Sequence, residues 1–497
     1  MHQKINFQIN FPFAPRWSNL IGTALFGAAL GAGLGGCAVG PDFKQPDPPQ
    51  VKAYTAEGVE ASAGVDGQRF VSGQDVSGQW WTAFGSQPLN ALVDAALANN
   101  PDLQAAQAAL RAARETAAAQ RGGLFPSVDA HFIPTRQSVA SPLASPLADN
   151  SDLYTLHTAQ LNISYAPDIF GGVRRQIEAG EAQAEAQRFQ RNATYLTLVS
   201  NVVLAAFNEA SLRDQLHAAE QATALAARQL ELVRKQRALG ALGLADVAAQ
   251  ESLLAQAEAV LPALRKQLAQ QRDQIAVLAG RFPGDGAMQH IDLSSLSLPA
   301  ELPVSLPSSL VQQRPDVRAA QAQLQAASAQ VGVAIANRLP SFTITGGIGS
   351  SAVNFSKLFT SGTGFWSLGL DVAQPIFKGG SLMHQQRAAE AGLEQAGAQY
   401  RSVVLGAFQN VADTLHAIAA DADALATAMR AESAAQRSFD AAQAQWKAGA
   451  SGYPLVLLAQ QNLLQASQSR VQAQAARLAD TVALFQALGG GWWNRDL

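Results

Sequence analysis

The chain repeats itself, and that limits its folds more than any other feature. NPDLQAAQAALRAA begins at Asn100 and RPDVRAAQAQLQAA at Arg314. Pro101 and Pro315 lie 214 residues apart, as do Pro126 and Pro340. Asp102/Asp316, Ala105/Ala319, Gln107/Gln321 and Leu110/Leu324 match between them without a gap. Farther on, DIFGG at Asp168 echoes PIFKGG at Pro375, and LGALGLADVAAQESLL (Leu239 to Leu254) echoes AGASGYPLVLLAQQNLL (Ala448 to Leu464) with one residue of slippage. A repeat of this length, with its elements in the same order, is a whole unit used twice. The halves run over residues 80–299 and 300–497.

Each half has two stretches with strand period. In SVDAHFIPT, Val128, Ala130 and Phe132 share one side; in AQLNISYAP, Leu161, Ile163 and Tyr165 oppose Asn162 and Ser164. SFTITGGIGS and GFWSLGLDVAQ alternate likewise, through Phe342, Ile344 and Ile348 and through Trp366, Leu368, Leu370 and Val372. Strands are predicted at about 127–137, 155–166, 341–351 and 363–376. An apolar face against a small polar one fits any half-buried sheet. Segments of about 9–11 residues also suit a membrane barrel, apolar toward lipid and polar toward a lumen.

Between the strand pairs, Val173 to Leu239 and Leu382 to Lys447 contain no proline and are rich in Ala and Gln. At 1.5 Å per residue each helix reaches roughly 100 Å. Such faces pack as coiled coils. Glycine turns at 240–243 and 449–452 end these runs, and Ala245 to Ala279 and Leu455 to Leu488 return as second helices. The result is two very long helical hairpins.

The only cysteine, Cys37, stands in LGGCAVGPDF. Before it, Met1 to Arg16 carries Lys4 and Arg16 and no acid, and the run to Gly36 is apolar and small. That is the pattern of an export signal over residues 1–36; a retained anchor needs a longer apolar span of about 20 residues. A lone cysteine makes no intrachain bridge. Leu34-Gly35-Gly36-Cys37 resembles a bacterial lipobox, which implies an S-diacylglycerol and an N-acyl group on Cys37, and Ala38 in place of Asp implies outer-membrane sorting. Two or more acyl chains anchor where one holds only marginally. Residues 37–79, Pro-rich and then Gly/Ser/Asp-rich, read as an extended linker.

Four strands cannot close a barrel, and open edges in lipid leave backbone groups unpaired. If the strands span a membrane, the chain must oligomerise. Three copies give a twelve-stranded barrel with an aqueous lumen, whereas the eight strands of a dimer are nearly filled by side chains. The lipobox with GPDF, the paired N/R-P-D helix starts, DIFGG and PIFKGG, the two glycine tips and LGGGW at Leu488 to Trp492 together resemble the TolC-like outer membrane efflux proteins, in their NodT-type lipoprotein subgroup.

The resemblance covers essentially the whole mature chain. It implies a mixed α/β membrane protein: a homotrimeric channel-tunnel with a twelve-stranded outer-membrane β-barrel and a long periplasmic α-helical barrel. It further implies a passive conduit for small molecules. A periplasmic adaptor would dock at the tips, and an inner-membrane pump of the resistance-nodulation-division type would supply the energy.

Gly240, Ala241, Gly243, Gly449, Ser451 and Gly452 then become adaptor-contact residues, with Arg237 and Lys447 just before them; the glycines turn the chain in any case. The family's aspartates beyond the second tip are replaced by Leu455 and Leu458, while the first tip keeps Asp246. Those leucines either form an apolar periplasmic gate with Asp246 nearby or pack between helices.

Enzyme chemistry has no foothold in the motifs. The histidines are scattered, HExxH and GxSxG are missing, and one lipid-bound cysteine builds no thiolate metal site. Four methionines make no copper path, and no metal or other cofactor is expected. With 15% charged residues and a net charge of −3, nucleic acid is not a partner. The rival reading is a lipid-anchored periplasmic adaptor or coiled-coil scaffold. An adaptor ordinarily has one hairpin flanked by β-rich domains, so the two hairpins and alternating strands argue against it.

Overall fold

A computed structural model of the chain describes residues 38–56, 68–140, 151–285 and 290–494. Cys37 and the signal over 1–36 lie outside the described residues. The chain divides into a strand unit, Met1–Pro41 with Gln120–Ile177 and Ala329–Ala388, and a helical unit, Asp42–Ala119 with Glu178–Ser328 and Ala389–Leu497. The chain-order strands are β1 (Arg69–Ser72), β2 (Ser127–Ser138), β3 (Leu153–Tyr165), β4 (Glu301–Val304), β5 (Ser341–Ala352) and β6 (Gly364–Ala373). The helices are α1 (Gln87–Asn99), α2 (Pro101–Arg121), α3 (Gly172–Ala238), α4 (Leu244–Leu278), α5 (Pro307–Gln313), α6 (Pro315–Ala336), α7 (Ser381–Lys447) and α8 (Tyr453–Ala487).

In the strand unit one antiparallel sheet runs in the order β2-β3-β5-β6. Its register gathers the alternating residues onto a single face. Ala130 pairs with Leu161, Leu161 with Ile348, and Ile348 with Trp366; Val128 pairs with Ile163, and Ile344 with Leu370. Directly opposed residues in an antiparallel ladder point the same way. That apolar face is uncovered: Trp366 is 78% exposed, Leu368 75% and Ile348 60%. The other face carries Asp129, Gln160, Asn162, Thr345 and Ser367. β2 and β6 are the sheet's two edges. β6 stops at Ala373, two residues before Pro375, whose missing N–H cannot continue a ladder.

The helical unit holds the main core. Trp80 stacks on Phe485 at 5.2 Å between ring centres, and Phe84 meets Phe207 edge-on at 4.9 Å. The linker reading of 37–79 needs correcting here. β1 pairs in parallel with β4, Arg69 opposite Glu301 and Ser72 opposite Val304. Gln68 Nε2 donates to the Pro299 carbonyl at 2.9 Å, and Val76 is fully buried. A four-residue strand shows no period, and its partner lies more than two hundred residues away.

The repeated N/R-P-D motif closes each hairpin at its base. Asn100 caps α2, its Oδ1 accepting from Asp102 and Leu103 N–H at 3.0 and 3.1 Å, while its Nδ2 donates to the Leu278 carbonyl at 3.0 Å. In the second half Arg314 grips Asp316 with two hydrogen bonds and donates to the Ala487 carbonyl at 3.1 Å. Both residues therefore satisfy a carbonyl that the end of a return helix leaves open. Gly280 (φ +69°) and Gly489 (φ +92°) sit at these joints; a Cβ would come 2.4 Å from the Asn99 oxygen and 2.7 Å from the Gln313 oxygen.

Candidate functional site: the helical tips

α3 and α7 end in the same way. At the first tip Gly240 adopts φ +78°, its N–H donates to the Arg237 carbonyl, and Ala241 N–H reaches Gln236, both at 2.9 Å. At the second, Gly449 adopts φ +71°, with Gly449 N–H to Trp446 and Ala450 N–H to Gln445, again at 2.9 Å. This pair of bonds needs a left-handed residue, which glycine supplies without strain. Lys235, Arg237 and Lys447 lie in the last turns, where the partial negative charge of a helix end favours cations.

α4 opens with Asp246 Oδ2 accepting from Gly243 N–H at 2.9 Å, one half of a capping box. α8 opens with Pro454 in its first turn, where no N–H is needed. Behind both turns lies a separate apolar cluster of Leu230, Val233, Val247, Phe439, Ala442, Tyr453, Val456 and Ala459. Tyr453 packs against Trp446 at 5.1 Å and donates from its hydroxyl to Gln250 Oε1 at 2.7 Å. Gln250 Nε2 continues the chain to the Ala226 carbonyl at 2.9 Å. A buried polar path thus ties the second hairpin to the first. Burial pushes the Tyr453 phenol above its ordinary range, so it remains a donor.

Gly240, Ala241, Gly243, Gly449 and Gly452 are exposed, and Ser451 is half-buried. Leu455 and Leu458 are 44% and 55% exposed in the chain, so they do not fill its core. Asp246 is occupied as a cap. Sequence pattern found the turns but missed Tyr453 and Gln250. The one available signal was Gly-Tyr-Pro at a helix start, where a large aromatic follows the turn. Away from the tips, Asp480 on α8 is pushed up to about 6, by burial first and then by its hydrogen bond to Asp421 on α7 and that group's charge. Among the described residues no group of His, Cys, Asp or Glu has the makings of a metal site.

A sequence model of the outer membrane efflux protein family matches residues 92–281 and 306–490. The chain belongs to that family. Among its relatives, the probable efflux pump outer membrane protein TtgC of Pseudomonas putida is 29% identical over 93% of this chain and 94% of its own. The probable outer membrane lipoprotein SilC of Salmonella typhimurium is 28% identical over 92% and 96%. The solved outer-membrane channel OprN, 26% identical, superposes with a TM-score of 0.82 over 92% of this chain and all of its own. The protein is an outer-membrane efflux channel with the TolC-like fold. The channel's sheet belongs in the outer membrane and its hairpins in the periplasm.

Proposed function

We propose that the channel works as a homotrimer in which three four-stranded sheets close one twelve-stranded barrel around an aqueous lumen. The observation that carries this is the sheet itself: its apolar face is uncovered and its two edge strands end the ladder. Lipid would cover that face, but lipid cannot satisfy the N–H and C=O groups of an open edge. Pairing β6 of one copy with β2 of the next removes every edge, and cyclic closure is the ordinary way to do so.

On this reading the channel is a passive conduit without catalysis. Its exposed tip residues receive a periplasmic adaptor, and an inner-membrane pump of the resistance-nodulation-division type drives transport. Cys37 carries the S-diacylglycerol and N-acyl groups; the relative SilC, a probable outer membrane lipoprotein, supports this. Native mass spectrometry of protein extracted gently from outer membranes tests the assembly. Three copies of a chain starting at Cys37, each heavier by its acyl groups, are expected. A monomer, or a mixture without a threefold species, would overturn the barrel.

A further inference from the structure

The first described residues of the chain are seated in a socket in the strand unit. Arg175, on the opening turn of α3, is only 5% exposed. Its Nε donates to the Val39 carbonyl at 3.0 Å, and its Nη2 reaches the carbonyls of Ala38 and Gly40 at 3.5 and 3.4 Å. Val39 N–H donates to the Phe170 carbonyl at 3.1 Å. A buried guanidinium is tolerated only when its donors are met, and here the backbone of 38–40 helps to meet them.

Missing side chains make the room. A Cβ on Gly171 would come 2.5 Å from Ala38 Cα, and one on Gly332 2.8 Å from the Val39 oxygen. Gly40 stands at φ +96°, where a Cβ would be 2.4 Å from Gly332 Cα. Residues 38–40 and the Phe170-Gly171 end of DIFGG thus meet at one place. The second repeat provides an internal control. Gly380 (φ +81°) precedes α7 as Gly171 (φ +75°) adjoins α3, and the same count puts His384 where Arg175 stands. At Gly379 and Gly380 no backbone comes within 4 Å of a built Cβ. The arginine accompanies the repeat against which residues 38–40 lie.

We propose that Arg175 is a positioning residue for the mature N-terminus, clasping residues 38–40 so that the acyl chains on Cys37 enter the membrane at the junction of β3 and α3. This rests on the acylation of Cys37 proposed above. With the clasp closed, the anchor sits one residue from Ala38. Released, residues 38–41 could carry it roughly 10–15 Å away at 3.3–3.6 Å per residue. The clasp thereby couples acylation to insertion of the sheet beside its own lipid.

Hydrogen-exchange mass spectrometry of the purified full-length channel, over the peptide containing residues 38–43, reads the clasp directly. Arg175→Ala should speed exchange there by about tenfold or more, as a local opening does, with Arg175→Lys in between. SDS-resistant oligomer in outer membranes should fall several-fold in acylated Arg175→Ala. It should not fall further when Arg175→Ala is added to a Cys37→Ser chain exported behind an ordinary cleavable leader. Unchanged exchange would overturn the clasp. An equal loss of oligomer with and without the acyl chains would make Arg175 a purely structural residue and overturn the coupling. The mass of the wild-type N-terminal peptide tests the anchor separately: an unacylated mass overturns lipidation whatever the exchange shows.

Discussion

Tyr453 donates to Gln250, which donates in turn to the Ala226 carbonyl, so one buried path joins helices from both repeats. Tyr453→Phe keeps the ring packed on Trp446 but leaves Gln250 Oε1 without its donor, at a cost of about 1–3 kcal/mol. Faster amide exchange confined to residues near the tips is the expected readout. At Asp480 the sign of a pH effect follows from its raised pKa. The folded state holds its proton up to about pH 6, while an unfolded aspartate loses it near pH 4. Stability that this pair contributes is therefore full below about pH 4 and declines as pH rises toward 6. Asp480→Asn should flatten that decline in a series of thermal melts between those values; an unchanged slope would remove the pair from the account.

Among the elements, β2, β3, β5 and β6 were legible because their alternation is regular and their exposed faces are apolar. The long helices were legible because no proline interrupts Val173 to Leu239 or Leu382 to Lys447. What escaped was non-local. β1 and β4 are four residues each and lie more than two hundred residues apart in the chain. Gln250 reads as one more glutamine in a glutamine-rich helix, and Arg175 as one more surface cation, because neither carries a pattern that names its partner. The two faces of the sheet make opposite predictions. Leu368→Lys places a charge on the face assigned to lipid and should cost about 2–4 kcal/mol near the membrane midplane. Ser367→Lys, one residue away and pointing to the lumen side, should be nearly neutral. Yield of folded protein in outer membranes distinguishes them, and equal losses would contradict the assigned faces.

For the whole molecule, Leu455 and Leu458 beyond the second tip have two roles that one experiment separates: facing a lumen or packing against a neighbouring copy. Both are substantially exposed in the single chain, so either role leaves the chain's own core intact. If they close an apolar mouth, Leu455→Ser with Leu458→Ser should raise leak of small solutes in a liposome conductance assay without weakening the trimer. Weaker trimers with unchanged conductance would instead assign them to packing between copies.

The two edges of the sheet have a genetic consequence. A chain able to fold its hairpins but unable to pair along β2 or β6 would still enter mixed rings and spoil them. Produced in equal amounts with the normal chain, it would leave roughly one ring in eight free of a damaged copy. Edge-strand alleles should therefore behave as dominant, whereas an allele whose product never folds should be recessive.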